Sequence, residues 1–279
     1  YISHPFSRFQ RIDFGLTWHN ISYDILDRVI NTFGQEELII RPGSSSTFTT
    51  ILPSMSWVID NSVFGVTGPI DGYRQNASVT ASPGWKNDFK FQTMKIDARK
   101  YWRIGRDYTI ALRGFFGSSQ GKNAQKFFLG GTPYLLTDFQ SGTTNGVSDP
   151  SSYRSVIADT SNSNLITDVY FTEYAFPMRG ARFAERIGAH AALFNFEVRF
   201  PFINYLALGF PLKLVLGNIR GHAFMDIGAA WDNNNEFSNS SWPAKYGSNN
   251  PGNFSPWVVT SGLGAKINLG YFLLRIETA

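Results

Sequence analysis

No cysteine occurs among the 279 residues, so neither a disulfide framework nor a cysteine zinc site is available to this chain. Charge is scarce as well. Asp, Glu, Lys and Arg make up 16% of residues, against roughly 25% in an ordinary soluble domain. The net charge of +4 is mild, and the basic residues are scattered, which argues against a nucleic-acid surface. No apolar run reaches the roughly 20 residues of a membrane-crossing helix. The opening Tyr1-Ile-Ser-His-Pro-Phe6 has neither the basic start nor the apolar centre of a secretory leader.

Catalytic signatures are missing too. The four histidines are His4, His19, His190 and His222, and none forms a His-x-x-x-His or His-x-Glu pair. No Gly-x-Ser-x-Gly occurs; Gly114-Phe-Phe-Gly-Ser-Ser-Gln-Gly121 lacks the nucleophile spacing and reads as a turn after a strand. No Gly-Lys-Ser/Thr marks a phosphate loop. The expectation is a protein that is not an enzyme and uses no cofactor and no metal.

What the chain has is aromatic residues and alternation. Phe, Tyr and Trp number 25, 12 and 7. After Pro177-Met-Arg-Gly180 comes a segment in which His190, Ala192, Phe194, Phe196, Val198 and Phe200 share one parity. Ala189, Ala191, Leu193, Asn195, Glu197 and Arg199 share the other. Alternate side chains of a strand point to opposite faces, so one face is greasy and the other ends in a carboxylate and a guanidinium. The same alternation recurs in 8–18, 47–60, 73–82, 89–102, 107–117, 219–232, 256–269 and 270–279. Ile12, Phe14, Leu16 and Trp18 oppose Arg11 and Asp13, and Met94 and Ile96 oppose Lys95, Asp97 and Arg99.

Two architectures share this pattern: a soluble β-sandwich, and a membrane barrel with lipid outside and a polar interior. A mean hydropathy of −0.16 does not decide between them, because inward polar residues cancel outward apolar ones. Several segments are about ten residues long, near the 9–11 that cross a bilayer at a tilt. Trp18, Trp57, Trp102, Trp231 and Trp257 fall near strand ends, as an interfacial girdle requires. Polar loops span about 132–168 and 232–256, so long loops alternate with short turns. Segment 21–30 carries Ile21, Ile25, Leu26, Val29 and Ile30 at helical spacing, and reads equally as a short loop helix or an irregular strand.

Several motifs occur in a set order. Pro53-Ser-Met-Ser-Trp-Val-Ile-Asp-Asn61 and Gly68-Pro-Ile-Asp-Gly72 come first, then Phe127-Phe-Leu-Gly-Gly131 and Met178-Arg-Gly-Ala181. Asn195-Phe-Glu-Val-Arg-Phe-Pro201, Ala223-Phe-Met-Asp-Ile-Gly-Ala-Ala-Trp231 and Ser261-Gly-Leu-Gly-Ala-Lys-Ile-Asn-Leu-Gly270 follow. In this order they resemble the Omp85 superfamily, or bacterial surface antigen family, which includes BamA-type barrels. The resemblance covers about 50–279.

It implies an all-β fold, a transmembrane antiparallel β-barrel that is 16-stranded when intact, in the bacterial outer membrane. Roughly ten or eleven strands are countable here, so residues 1–279 are expected to form part of one such barrel, lacking strands at both ends. The resemblance also implies a lumenal loop, about 132–188, whose tip carries an Arg-Gly that pairs with acids on the inner wall. Those residues match Arg179, Gly180, Glu197 and Asp226. Met178 and Ala181 depart from the family's [Val/Ile]-Arg-Gly-[Phe/Tyr] pattern. The implied function is assembly or insertion of outer-membrane proteins, or protein translocation. Implied partners are outer-membrane lipid (lipopolysaccharide and phospholipid), client outer-membrane proteins, and periplasmic or lipoprotein partners. Two alternatives stay open: a barrel anchoring a separate soluble domain, and a passive pore.

Overall fold

A computed structural model describes residues 1–24, 26–30, 36–40, 46–84, 90–131, 173–175, 177–181, 185–209, 214–232, 256–269 and 273–279. Of the loops read from the sequence at about 132–168 and 232–256, the spans 132–168 and 233–255 lie outside the described residues.

Ten strands hydrogen-bond in one antiparallel path: β1 (Ile2–Pro5), β2 (Gln10–Tyr23), β5 (Ser46–Asp60), β7 (Gly68–Pro83), β8 (Lys90–Ile104), β9 (Tyr108–Gln120), β13 (His190–Leu208), β14 (Leu214–Trp231), β15 (Trp257–Asn268) and β16 (Leu273–Thr278). β6 (Val63–Gly65) adds an eleventh strand beside β7. Two small sheets accompany it: β3 (Leu26–Ile30) with β4 (Glu36–Ile40), and β10 (Phe127–Leu129) between β11 (Glu173–Ala175) and β12 (Arg186–Gly188). Among the described residues β1 and β16 do not pair, so the sheet is open, as part of a barrel is.

Strand length follows from the solvent. β2, β5, β7 and β8 have 14, 15, 16 and 15 residues, and β13 has 19, well above the roughly 5–6 of a soluble sheet. The described residues of each alternating segment of the sequence centre on one of these strands. The register slips between Pro201 and Ile203 of β13, where proline has no N–H to give the ladder.

Burial separates the two architectures. Leu16 is 70% exposed and Trp18 69%, while their strand neighbour Asp13 is 4% exposed. Met55, Trp57, Met94, Phe116, Phe194, Met225, Val259 and Leu263 are exposed as well, whereas Thr93, Ser119, Asn195, Glu197, His222, Asp226 and Lys266 are buried. A soluble sandwich does the reverse, since each apolar side chain left in water forfeits about 1.5–3 kcal/mol. An apolar belt outside and polar groups within is a barrel wall in lipid. Lys100 fits a belt edge, with its ammonium 5.7 Å from the ring centre of Trp102. Among the described residues no helix is long and apolar enough to cross a membrane; the strands cross.

This inversion makes a depth-dependent prediction. Ile96, at the middle of β8 between Ala77 and Phe116, should lose roughly 2–4 kcal/mol on replacement by arginine, and Ile104, at the strand end, only about 0–1. Urea titration in lipid vesicles measures both. Equal losses would contradict the assignment of the apolar face to lipid.

Of the two alternatives for segment 21–30, its described residues take the strand: β2 continues to Tyr23, and Leu26–Ile30 pairs with Glu36–Ile40 as a hairpin, a setting that suits β-branched Val29, Ile30, Ile39 and Ile40. Another reading needs correction. Gly114–Gln120 is not a turn but the second half of β9. Its Gly117 is small for a packing reason, because a Cβ there would overlap the Phe127 ring.

Candidate functional site

The inner face of β13 changes character along its length. Ala189, Ala191 and Leu193 are buried and apolar; Asn195, Glu197 and Arg199 follow on the same parity. The apolar half receives the small β10–β12 sheet. Phe127, Leu129, Ala175, Met178 and Ala181 pack there against Phe115, Ala191, Leu193 and Ala230. Gly228 of β14 leaves the space this needs, since a Cβ would come within 2.8 Å of Leu129. Two ion pairs tie this layer to the wall, Lys95 to Glu173 at 2.8 Å and Lys126 to Asp232 at 2.7 Å.

Beyond this layer the chain 177–181 descends onto the polar half. The Met178 N–H donates to the Gly130 carbonyl at 3.1 Å, and the buried Met178 side chain joins the apolar cluster. Asn195 Nδ2 donates to the Pro177 carbonyl at 3.0 Å. Gly180 turns the chain with φ +74°, a left-handed conformation that costs other residues roughly 1–2 kcal/mol.

These contacts aim Arg179 at the wall. Its backbone N–H and Nε donate to Asp226 Oδ2 at 2.9 and 2.8 Å, and Nη2 donates to Oδ1 at 2.6 Å. Nη1 donates to Glu197 Oε2. The guanidinium lies 4.0 Å from the ring centre of Phe224, so a wall aromatic stacks on it while Ala181 occupies the motif's aromatic position. A planar fork with five N–H groups can span two carboxylates in this way. Asp226 is fully buried, and an isolated carboxylate there would be untenable without a paired cation.

Strand register explains the convergence. Asn195 lies opposite Asp226, Glu197 opposite Phe224 and Arg199 opposite His222, so three polar residues of β13 and two polar residues flanking an aromatic on β14 form one inward patch. Gly262 and Gly264 of β15 face Phe224 and His222. A Cβ on either glycine would strike those rings at 2.7 and 2.6 Å.

Glu197 does more than bind Arg179. Its Oε1 also accepts from Arg199 Nε and from Lys266 Nζ, each at 2.6 Å. Glu277 on β16 accepts from His222 Nε2 and pairs with Arg275 at 2.5 Å. Arg179, Glu197 and Asp226 are thus brought together as the motif implies, and Gly180 adjoins them. Phe224, Lys266, Arg199, His222 and Glu277 complete the constellation and were not singled out from the sequence. Strand parity is the signal that points to them, since Lys266, His222 and Glu277 all fall on the polar set of their strands. Among the described residues no group of three His, Asp or Glu could hold a metal.

A family model described as the Omp85 superfamily domain matches residues 1–279. Among solved structures, the fold is similar to one titled the crystal structure of BamA from Haemophilus ducreyi lacking POTRA domains 1-3. The TM-score is 0.57 at 12% identity, covering 99% of this chain and 48% of that one. The chain therefore spans about half the length of that relative, and the likeness speaks to fold. No curated protein matches this chain.

Proposed function

We infer, from the premise that this chain belongs to the Omp85 superfamily, that it is the membrane barrel of a bacterial outer-membrane protein that inserts or translocates other proteins. The observation that carries the reading is Arg179, presented by a loop inside the wall and shared between Asp226 and Glu197. This contact locks the loop to two adjacent strands, β13 and β14, and holds the lumenal side of the barrel in one arrangement. A plain pore has no need of such a fixture. The apolar layer of β10–β12 against β9, β13 and β14 further supports a filled lumen over an open channel.

The barrel works without a catalytic residue, a cofactor or a metal. Its exposed apolar belt contacts lipopolysaccharide and phospholipid. Its partners are client outer-membrane proteins and periplasmic or lipoprotein components.

The test is client folding. The full-length protein, reconstituted into lipid vesicles, should accelerate insertion of a urea-unfolded small barrel several-fold over empty vesicles. An unchanged client rate with an intact, correctly folded barrel would overturn the assembly reading. A steady ionic conductance without any client effect would assign the barrel to passive permeation instead.

A further inference from the structure

Between Arg179 and the short turn joining β5 to β7, the lumen contains a cavity of about 330 Å³. Besides Arg179, its walls carry Arg74, Arg99, Arg113, Arg199, Lys266 and Arg275, and the one carboxylate among the lining residues is Glu197. Four more carboxylates stand behind these cations. Asp60 meets Arg74 at 3.6 Å, Asp97 meets Arg99 and Arg113 at 2.8 Å each, Asp226 meets Arg179, and Glu277 meets Arg275. Among the described residues seven cations therefore face five carboxylates, an excess of positive charge in a partly enclosed space where field lines are focused.

Donor capacity is in excess too. Arg199 gives Nε to Glu197 and Nη1 to the Pro69 carbonyl at 2.6 Å, two of the five N–H groups a guanidinium carries. Lys266 gives one hydrogen bond, to Glu197, of the three its ammonium can make.

We propose that this cavity binds a small oxyanion of the phosphate class, either free phosphate or a phosphate ester. Guanidinium forks match phosphate oxygens in pairs. The volume holds a phosphate with several waters, each of which occupies about 30 Å³. The charged wall residues Arg74, Arg99, Arg113, Glu197, Arg199, Lys266 and Arg275 lie on the inward parity of their strands, that of β8 and β9 being opposite the lipid-facing Ile96 and Phe116, so a diffusible ester reaches the site through the lumen. The proposal is independent of the client reading, because it concerns binding by the barrel alone.

The test uses the full-length protein in detergent, in phosphate-free buffer at low salt, with inorganic phosphate as the calorimetric probe. One phosphate should bind per barrel, more weakly as salt is added. Arg74→Gln and Arg275→Gln lie at the cavity edge and leave the Arg179 contacts in place. Each should weaken binding roughly tenfold, the loss of about one charge-assisted hydrogen bond. Arg106→Gln, in the turn outside the cavity, should bind as the parent does. Heat-modifiable gel migration checks that each variant is folded. Absence of phosphate binding, or equal weakening by all three variants, overturns the proposal. Competition separates the sources: displacement by glycerol phosphate assigns a diffusible ester, and displacement only by phosphatidylglycerol in mixed micelles assigns a lipid headgroup. Either result keeps the phosphate assignment.

Discussion

Replacing Arg179 with alanine should lower barrel stability by roughly 3–5 kcal/mol, the usual loss when one partner of a buried ion pair is removed. The harm falls unequally on the two acids. Glu197 keeps Arg199 and Lys266, so it stays compensated. Asp226 loses both side-chain bonds of Arg179 and retains the backbone N–H of residue 179, leaving a fully buried carboxylate without a cation. Arg179→Ala combined with Asp226→Asn should therefore cost clearly less than the sum of the single changes, because the second removes the charge the first stranded. Arg179→Lys should rescue little, since a point ammonium cannot reproduce the fork across two carboxylates. Urea midpoints in detergent and the fraction of heat-modifiable folded band read these effects. An Arg179→Ala midpoint equal to the parent's would show that the contact does not hold the loop.

Glu197→Gln should be as damaging at low salt, roughly 3–5 kcal/mol, for the opposite reason. Three cations, Arg179, Arg199 and Lys266, converge on this one carboxylate. The amide keeps the shape but removes the charge that lets them sit together, so their mutual repulsion is exposed. Glu197 lines the cavity, where small anions have access, and added salt or phosphate should recover part of the loss. Asp226→Asn should show no comparable recovery, because Asp226 is fully buried and is not among the cavity's lining residues. Parallel urea titrations in low and high salt decide the matter. Identical salt responses of the two variants would mean that Glu197 acts as an ordinary buried acid and not as the hub of a cation cluster.

Parity made much of the site legible before any coordinates. In β13 the set Asn195, Glu197, Arg199 opposes Phe194, Phe196, Val198, and that puts Glu197, like Asp226 in β14, on the face opposite the apolar set. The Arg-Gly of the loop and the order of the surrounding motifs linked Arg179 to those acids. Phe224 was read only as part of a motif, because its parity is polar and its role is to stack on a guanidinium from another element. Lys266 was visible as a polar-face residue, but nothing local tells it apart from Lys95, which serves a different carboxylate, Glu173. Gly117 looked like part of a turn because the Phe127 ring that requires its missing Cβ comes from the next element. Segment 21–30 carried a helical spacing that the hairpin with Glu36–Ile40 overrode, since strand pairing supplies the hydrogen bonds a short helix would have had to make alone.

The sequence by itself determined the period of two and the sorting of residues onto two faces, because these depend only on backbone geometry within one segment. Which face meets lipid, and which cations gather on Glu197, only the tertiary structure decided. Both depend on curvature and register across β7, β8, β9, β13, β14, β15 and β16, through which residues as distant as Arg74, Arg179 and Arg275 come to share one cavity. A charge distribution of that kind is a property of the assembled wall, since no single strand carries more than a few of its members.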